Sequence, residues 1–405
     1  MRTLLSATLL GLVALSPLSA QGDRAPTNVA LVKSWYRYYL RREPDPAEVQ
    51  AWTNLLRSGR DPNRLLAKFL SHERPGHSVG GVQRMGGGAS KEQFIFTLTA
   101  PDGAAQKYVL RMDPLGAITE TDRLREYEVL RAVQSFTPAP RPVWIDVDGS
   151  HFGQPAVIME FVGGVTKPKG SGIKVSGLGT HLGEPLRSRL KGQFLEHLVA
   201  LHGMDWRAAE LPSFSAPTGH PTQAALWTVN YWKGLWRLDR HEDRPIAALA
   251  EQWLLDNLPD CDELVLTHGD YRTGNYLFDE ESGRITALLD WELARIGDRH
   301  EDLAWVLMQV FGTAEDGVFR ASDLFEREAF ITAYEAASGR SVNRQTLHFY
   351  EVLSAWKCLI IVGANGLAAA RAQQNHQDVL LTFLAATTAI FADDLCRLLS
   401  EGERS

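Results

Sequence analysis

The stretch LTHGDYRTGNYLFDEESGRITALLDWE, Leu266 to Glu292, constrains the fold more than any other part of the 405-residue chain. The apolar run Leu264 to Leu266 reads as a strand that delivers His268-Gly269-Asp270 into a loop, and Asn275 follows on the same loop. Tyr276 to Phe278 and Arg284 to Leu289 read as a hairpin around the turn Glu281-Ser282-Gly283, which would return Asp290 beside Asn275. That order suits phosphoryl transfer. The reaction asks a protein for little covalent chemistry, but it needs a carboxylate aimed at the acceptor hydroxyl and oxygen ligands for magnesium. Asp270 fits the first role, and Asn275 and Asp290 fit the second as hard oxygen donors. Arg272 joins the catalytic set from within the loop. His268 is expected to brace the loop by hydrogen bonding rather than to carry protons.

Upstream the pattern is that of strands. Gln93 to Ala100 and Lys107 to Met112 are β-rich runs joined by Pro101-Asp102-Gly103, where proline fixes one backbone angle and glycine permits another. Before them, Arg84-Met85-Gly86-Gly87-Gly88-Ala89-Ser90-Lys91 sets consecutive glycines between strands. Backbone N–H groups there can approach phosphate oxygens, although an ordinary flexible hairpin reads the same way in isolation. Thr119 to Gln134 reads as an amphipathic helix opened by Thr119 with Asp122 three residues on, a capping-box variant. Val143 to Val147 and Ala156 to Val162 pair around Asp148-Gly149, and Gly163 to Gly183 reads as a flexible insertion. From Leu186 the chain is mainly helical, with Phe194, Leu195, Leu198 and Leu201 on one stripe. Trp227, Trp232 and Trp236 are expected in the core.

The set His268-Gly269-Asp270, Asn275 and Asp290 resembles the catalytic loop and metal-binding segment of aminoglycoside phosphotransferases and their relatives. The likeness extends over about Ser78 to Ala392. Gly297-Asp298-Arg299-His300-Glu301-Asp302-Leu303-Ala304 resembles that family's GDP-x-x-DLA segment, with Arg299 where proline is usual, which implies that Asp302 braces the catalytic loop. Asp290-Trp291-Glu292 and Val109-Leu110-Arg111 bring the likeness nearest to the branch that includes kinase domains fused to acyl-CoA dehydrogenases. The resemblance implies an α+β, bilobal protein-kinase-like fold, with a five-stranded antiparallel N-lobe sheet over residues 78–162 and a mainly helical C-lobe over 185–400.

It also implies ATP or GTP as co-substrate with Mg2+. The phosphates would lie under Gly86, Gly87, Gly88 and Ser90 and against Arg111, where most kinases carry lysine, with Glu126 as that arginine's partner. Met159-Glu160-Phe161-Val162 would be the hinge, where backbone groups of Glu160 and Val162 meet the adenine. The acceptor would be a small hydroxyl-bearing molecule, whose identity the sequence leaves open. Three readings compete: a nucleotide-binding regulator without turnover, a metal-dependent phosphohydrolase, and transfer to a protein side chain. The presence of Asp270, Asn275 and Asp290 together counts against the first. A missing second His-and-Asp motif counts against the second.

A net charge of -7 and a pI near 6.0 offer no general attraction to nucleic acid or anionic lipid, both of which need clustered Lys and Arg. Apolar residues at 44% and charged ones at 22% are the make-up of a soluble protein, and the length allows two bodies with attachments. Cys261, Cys358 and Cys396 are odd in number and far apart, so buried thiols are expected rather than a disulfide framework. The first twenty residues conflict with a cytoplasmic kinase. Arg2, the apolar run Leu4 to Leu18 and Ser19-Ala20-Gln21 have the three-part form of a secretory signal, too short and proline-interrupted for a stable membrane span. Residues 26–75 read as a three-helix accessory module, punctuated by Asp45-Pro46, Gly59 and Asp61-Pro62. That module resembles a small helical unit of unknown function in bacterial exported and surface proteins. The phosphotransferase body is expected over 76–400 and favours the cytoplasm, where nucleotide and magnesium are available.

Overall fold

The computed structural model of the protein describes residues 43, 62–85, 91–113, 122–169, 178–240, 242–368 and 384–402. The signal-like segment, the module before residue 62 apart from Glu43, Gly86, Gly87, Gly88 and Ser90, and part of the 163–183 insertion lie outside these residues. Five strands form one antiparallel sheet in the order β1-β2-β3-β5-β4. They are β1 (Ser78–Arg84), β2 (Glu92–Thr99), β3 (Ala105–Met112), β4 (Pro142–Asp146) and β5 (Ala156–Glu160). The chain separates into two compact units, one of residues 1–119, 146–158 and 366–386, the other of 120–145, 159–365 and 387–405.

In the first unit, β2 and β3 pair in continuous register from Glu92↔Met112 to Thr99↔Ala105. The turn between them is the expected one: Gly103 adopts φ +88°, and the Asp102 carboxylate accepts the Ala104 N–H at 2.9 Å. Phe96, Leu98, Leu110 and Met112 fill the core. Helix α1 (Pro62–Glu73) starts with proline at its first position and buries Leu66, Phe69 and Leu70. Phe69 meets the rings of His151 and Phe152 at 5.0 and 5.2 Å. The helix is thus part of the core beside the sheet. Lys91, at the entry to β2, is buried and paired with Asp113 at 2.8 Å.

The second unit contains α2 (Arg123–Ala132), α3 (Leu186–His202), α4 (Gln223–Asp239), α5 (Pro245–Asp256), β6 (Leu264–Thr267), the hairpin β7 (Tyr276–Asp279) and β8 (Arg284–Leu288), and β9 (Arg295–Asp298). It continues through α6 (His300–Val306), β10 (Thr313–Glu315), β11 (Val318–Arg320), α7 (Arg327–Ser338), α8 (Arg344–Ile360) and α9 (Thr388–Gly402). Helix α8 is the central one. It is buried almost throughout and runs into a π-helical turn, Ile361–Asn365. By length and composition the stretch Arg344–Ala368 could cross a membrane, but 78% of its most apolar window is buried, as in a core helix.

Several expectations are corrected. Helix α2 begins at Arg123, not Thr119, because Asp122 is its cap: the side chain accepts the N–H groups of Leu124 and Arg125 at 2.8 and 3.4 Å. Strands β9, β10 and β11 are too short to announce themselves by alternation, and β9 exists as the antiparallel partner of β6. Trp232 and Trp236 are core residues, whereas Trp227 falls off their stripe and is 41% exposed. Of the cysteines, Cys358 is buried, Cys261 intermediate and Cys396 exposed.

Candidate active site

Every strand that carries the Leu266 to Glu292 motif lies in the second unit. Strand β6 is buried and hydrogen-bonded to β9, so it ends at a fixed point, with His268 next. There the backbone turns through Gly269 at φ +79°. A Cβ at Gly269 would stand 2.6 Å from the Leu293 carbonyl oxygen, so both conformation and space demand glycine. Asp302, on the first turn of α6 and 0% exposed, accepts the His268 and Gly269 N–H groups at 2.8 Å each, one on each carboxylate oxygen. Nε2 of His202 reaches the same carboxylate at 3.1 Å, and Nδ1 of His202 meets the Tyr334 hydroxyl at 2.8 Å. Burial alone would raise the Asp302 pKa. The hydrogen bond and charge of His202, with help from His268, bring it below the usual carboxylate value.

This brace aims Asp270. Its Oδ1 accepts Nε–H of Arg272 at 2.8 Å and the indole N–H of Trp305 at 2.6 Å. Two donors fix one oxygen, while Oδ2 accepts no hydrogen bond from the described residues and the side chain stays 19% exposed. The Arg272 guanidinium in turn lies 4.7 Å over the Phe311 ring. Nδ1 of His268 accepts the Asp270 N–H at 3.2 Å, which places the imidazole proton on Nε2. Burial pushes the His268 pKa down, against the opposing pull of the Asp302, Asp270 and Asp290 carboxylates. The ring, packed 4.5 Å from Trp291, is therefore a neutral brace.

Asn275 closes the loop. Its Nδ2 donates to the Asp270 carbonyl at 2.9 Å, which leaves Oδ1 as the amide's acceptor. Its own carbonyl accepts the Leu289 N–H at 2.8 Å, so the hairpin brings the residue before Asp290 onto Asn275. Asp290 itself takes the left-handed conformation, φ 60° and ψ 55°, which only short polar side chains tolerate without large cost. The segment just after Val162 is tied to the same hairpin. Val165 exchanges backbone hydrogen bonds with Phe278 at 2.9 and 3.0 Å, and Thr286 donates its hydroxyl to the Gly163 carbonyl at 2.7 Å. Gly164, at φ +142°, would place a Cβ 2.8 Å from Thr286 Oγ1, so this crossing also requires glycine.

The remaining sequence candidates divide as follows. The Glu160 N–H is committed to the Arg141 carbonyl at 2.9 Å, and its side chain pairs with the Arg141 guanidinium. Val162 is half-buried. Glu126 is buried and ion-paired to Arg123, whose guanidinium also lies 3.6 Å from Glu292. Arg111 belongs to the first unit, buried near the end of β3 opposite Gln93. Gly86, Gly87, Gly88 and Ser90 lie outside the described residues. Among the described residues no cluster of three or more His, Cys, Asp and Glu side chains is arranged to hold a metal ion.

Sequence reasoning missed Trp305 and Lys357, which contact the loop from α6 and α8. Trp305 directly follows the Asp302-Leu303-Ala304 string. Lys357 is a lone cation in the apolar run LSAWKCLIIV, and such an isolated charge is itself a signal. Asp270 Oδ2 can accept a proton, and the amide of Asn275 on the same loop and the carboxylate of Asp290 at the end of the hairpin carry oxygen donors.

The model of the phosphotransferase enzyme family matches residues 81–346. Acyl-CoA dehydrogenase family member 11 of Gallus gallus is 30% identical over 332 residues, 78% of this chain and 40% of that protein. The chain thus spans two fifths or less of the length of the curated relatives of that name that it matches. Among solved structures, a protein of Ralstonia eutropha JMP134 provisionally assigned to the aminoglycoside phosphotransferases has a TM-score of 0.60 at 23% identity, covering 84% of this chain and 98% of that one. Aminoglycoside phosphotransferase APH(4)-Ia, in a ternary complex with AMP-PNP and hygromycin B, has a TM-score of 0.51 at 18% identity, covering 82% and 98%. At these identities the structural likeness is one of fold, the kinase-like α+β fold of the aminoglycoside phosphotransferases.

Proposed function

Because the chain belongs to the phosphotransferase enzyme family, we propose that it moves the terminal phosphoryl group of ATP or GTP, with magnesium, onto a hydroxyl of a small molecule, with Asp270 as the acceptor's base. The observation that carries this reading is the Asp270 carboxylate: Arg272 and Trp305 hold Oδ1, and Oδ2 remains for the acceptor's proton. Catalysis of this kind is chiefly positioning and charge stabilisation, and a carboxylate fixed by two charge-assisted or short hydrogen bonds loses little freedom on reaching the transition state.

The residues fit a magnesium site. Oδ1 of Asn275, left over when Nδ2 binds the loop, and the Asp290 carboxylate are hard oxygen donors. Bound magnesium supplies neutralisation of phosphate charge. Asn275 and Asp290 orient it, Asp302 and His268 hold the loop still, and Asp270 takes the hydroxyl proton. The nucleotide half of the reading draws on Arg111, the glycine loop at 86–90 and the hinge at 159–162, and is supported by the AMP-PNP complex of APH(4)-Ia. For the acceptor, the relationship to acyl-CoA dehydrogenase family member 11 favours a metabolic hydroxyl such as that of a hydroxyacyl thioester. The arginine at position 111 keeps a weakly catalytic nucleotide-binding regulator as the second reading.

One experiment separates them. Magnesium-dependent binding and slow hydrolysis of ATP and GTP are measured for wild type, Asp270→Ala and Asp290→Ala, followed by a screen of hydroxyacyl-CoAs and antibiotics as acceptors. Asp270→Ala is expected to lower turnover by about 10²–10⁴-fold while sparing nucleotide affinity. Asp290→Ala is expected to lose magnesium-dependent binding. Equal loss of nucleotide binding in both variants contradicts these two roles. Binding without any turnover favours the regulator, and phosphorylation of an antibiotic alone overturns the acceptor class.

A further inference from the structure

Lys357 is 1% exposed, and none of the carboxylates lies within ion-pairing distance of its ammonium among the described residues. Its Nζ donates to the Gly269 carbonyl at 2.5 Å. The same ammonium lies 4.0 Å from the Trp305 ring centroid and 5.4 Å from that of Trp232. A buried cation solvated by one carbonyl and two indole faces is costly unless those groups are well placed, so its position is tightly determined. Both groups it holds lead to Asp270. Gly269 is the residue before it, and Trp305 donates to its Oδ1.

We infer that Lys357 is a positioning residue for phosphoryl transfer, holding the Gly269 peptide and the Trp305 indole so that Asp270 presents Oδ2 to the acceptor. It touches neither substrate nor metal and acts through these two neighbours. The inference rests on the reading of Asp270 as the acceptor's base. Asp302 accepts the N–H groups of His268 and Gly269, and Lys357 donates to the Gly269 carbonyl, so the backbone is held on both sides of the Gly269 Cα. Burial draws the Lys357 pKa below that of ordinary lysine, and the nearby charges of Glu301 and Asp270 oppose that pull.

The test compares the full chain with Lys357→Met, Lys357→Arg and, as control for the underlying reading, Asp270→Asn. Hydrogen exchange is followed at the 268–270 amides and along α8, and hydrolysis of magnesium-ATP is resolved into kcat and KM. Lys357→Met is expected to keep its thermal midpoint, since replacing a buried cation by an apolar group is often neutral or stabilising. Its 268–270 amides are expected to exchange at least about tenfold faster, with kcat lower by about 10–100-fold and KM for ATP within about twofold. Lys357→Arg, a fork in place of a compact ammonium, is expected to fall between wild type and Met on both readouts.

Either variant, folded, with wild-type exchange and kcat overturns the inference. So does a Met variant whose midpoint, α8 protection and kcat fall together without recovery in Arg, the pattern of a merely structural lysine. If Met does not fold, the Arg variant decides on the same readouts. An Asp270→Asn variant with undiminished kcat sinks the base reading instead. If the wild type does not hydrolyse ATP, the exchange measurement alone decides whether Lys357 holds the loop.

Discussion

His268 and Asp302 touch, and both have folded pKa values below their ordinary ones, His268 because burial lowers it and Asp302 because His202 and His268 outweigh a burial that would raise it. For Asp302 the folded pKa is depressed, so its contribution to stability is complete above the unfolded carboxylate value of about 4 and is lost only as pH falls through the lower folded value. For His268 the folded pKa also lies below the unfolded one, but here the neutral form is the native one. The unfolded chain takes up a proton below about pH 6.5 that the native loop refuses, so stability is complete above that value and erodes as pH falls toward the folded pKa. His197, likewise lowered by burial, adds to the same window. The thermal midpoint is therefore expected to be level above about pH 7 and to decline from about 6.5 to 5. His268→Asn, which keeps an acceptor for the Asp270 N–H, is expected to make that decline shallower. An unchanged slope would mean that the ring does not titrate with folding.

Helix α1 shows what an element's neighbours can change. By punctuation it reads as the last helix of a separate module ending at residue 75, but Phe69 packs on His151 and Phe152 in the same compact unit as strands β1, β2 and β3. Leu66, Phe69 and Leu70 are nearly fully buried, and each such side chain is worth about 1.5–3 kcal/mol. A chain shortened to residues 76–405 is thus expected to unfold at lower denaturant than one beginning at residue 61, by several kcal/mol on this scale. Equal midpoints would show that α1 is dispensable to the sheet. The contrast also marks which elements are legible in the sequence. Strands β6, β7 and β8 carry apolar runs around a Glu-Ser-Gly turn, so the HGD loop and the return of Asp290 can be read directly. Strand β9 is four residues long and owes its existence to a partner thirty positions away. Helix α2 reads four residues too long at its start, because in sequence Asp122 looks like an interior acid rather than the cap.

At the scale of the whole molecule, family membership over residues 81–346 gives the reaction class, while the groups that tune the loop come from distant sequence. Trp305 reaches Asp270 across 35 positions, and Lys357 reaches Gly269 across 88. No periodicity or motif near residue 270 announces them, because their relation is made by α6 and α8, which pack on each other and reach the loop that follows β6. That order of parts has a consequence for synthesis. The ribosome adds about 5–20 residues per second, so the HGD loop exists for roughly 4–18 s before Lys357 has been made. Throughout that interval the nascent chain carries Asp270 without the contact that Lys357 makes to the Gly269 carbonyl.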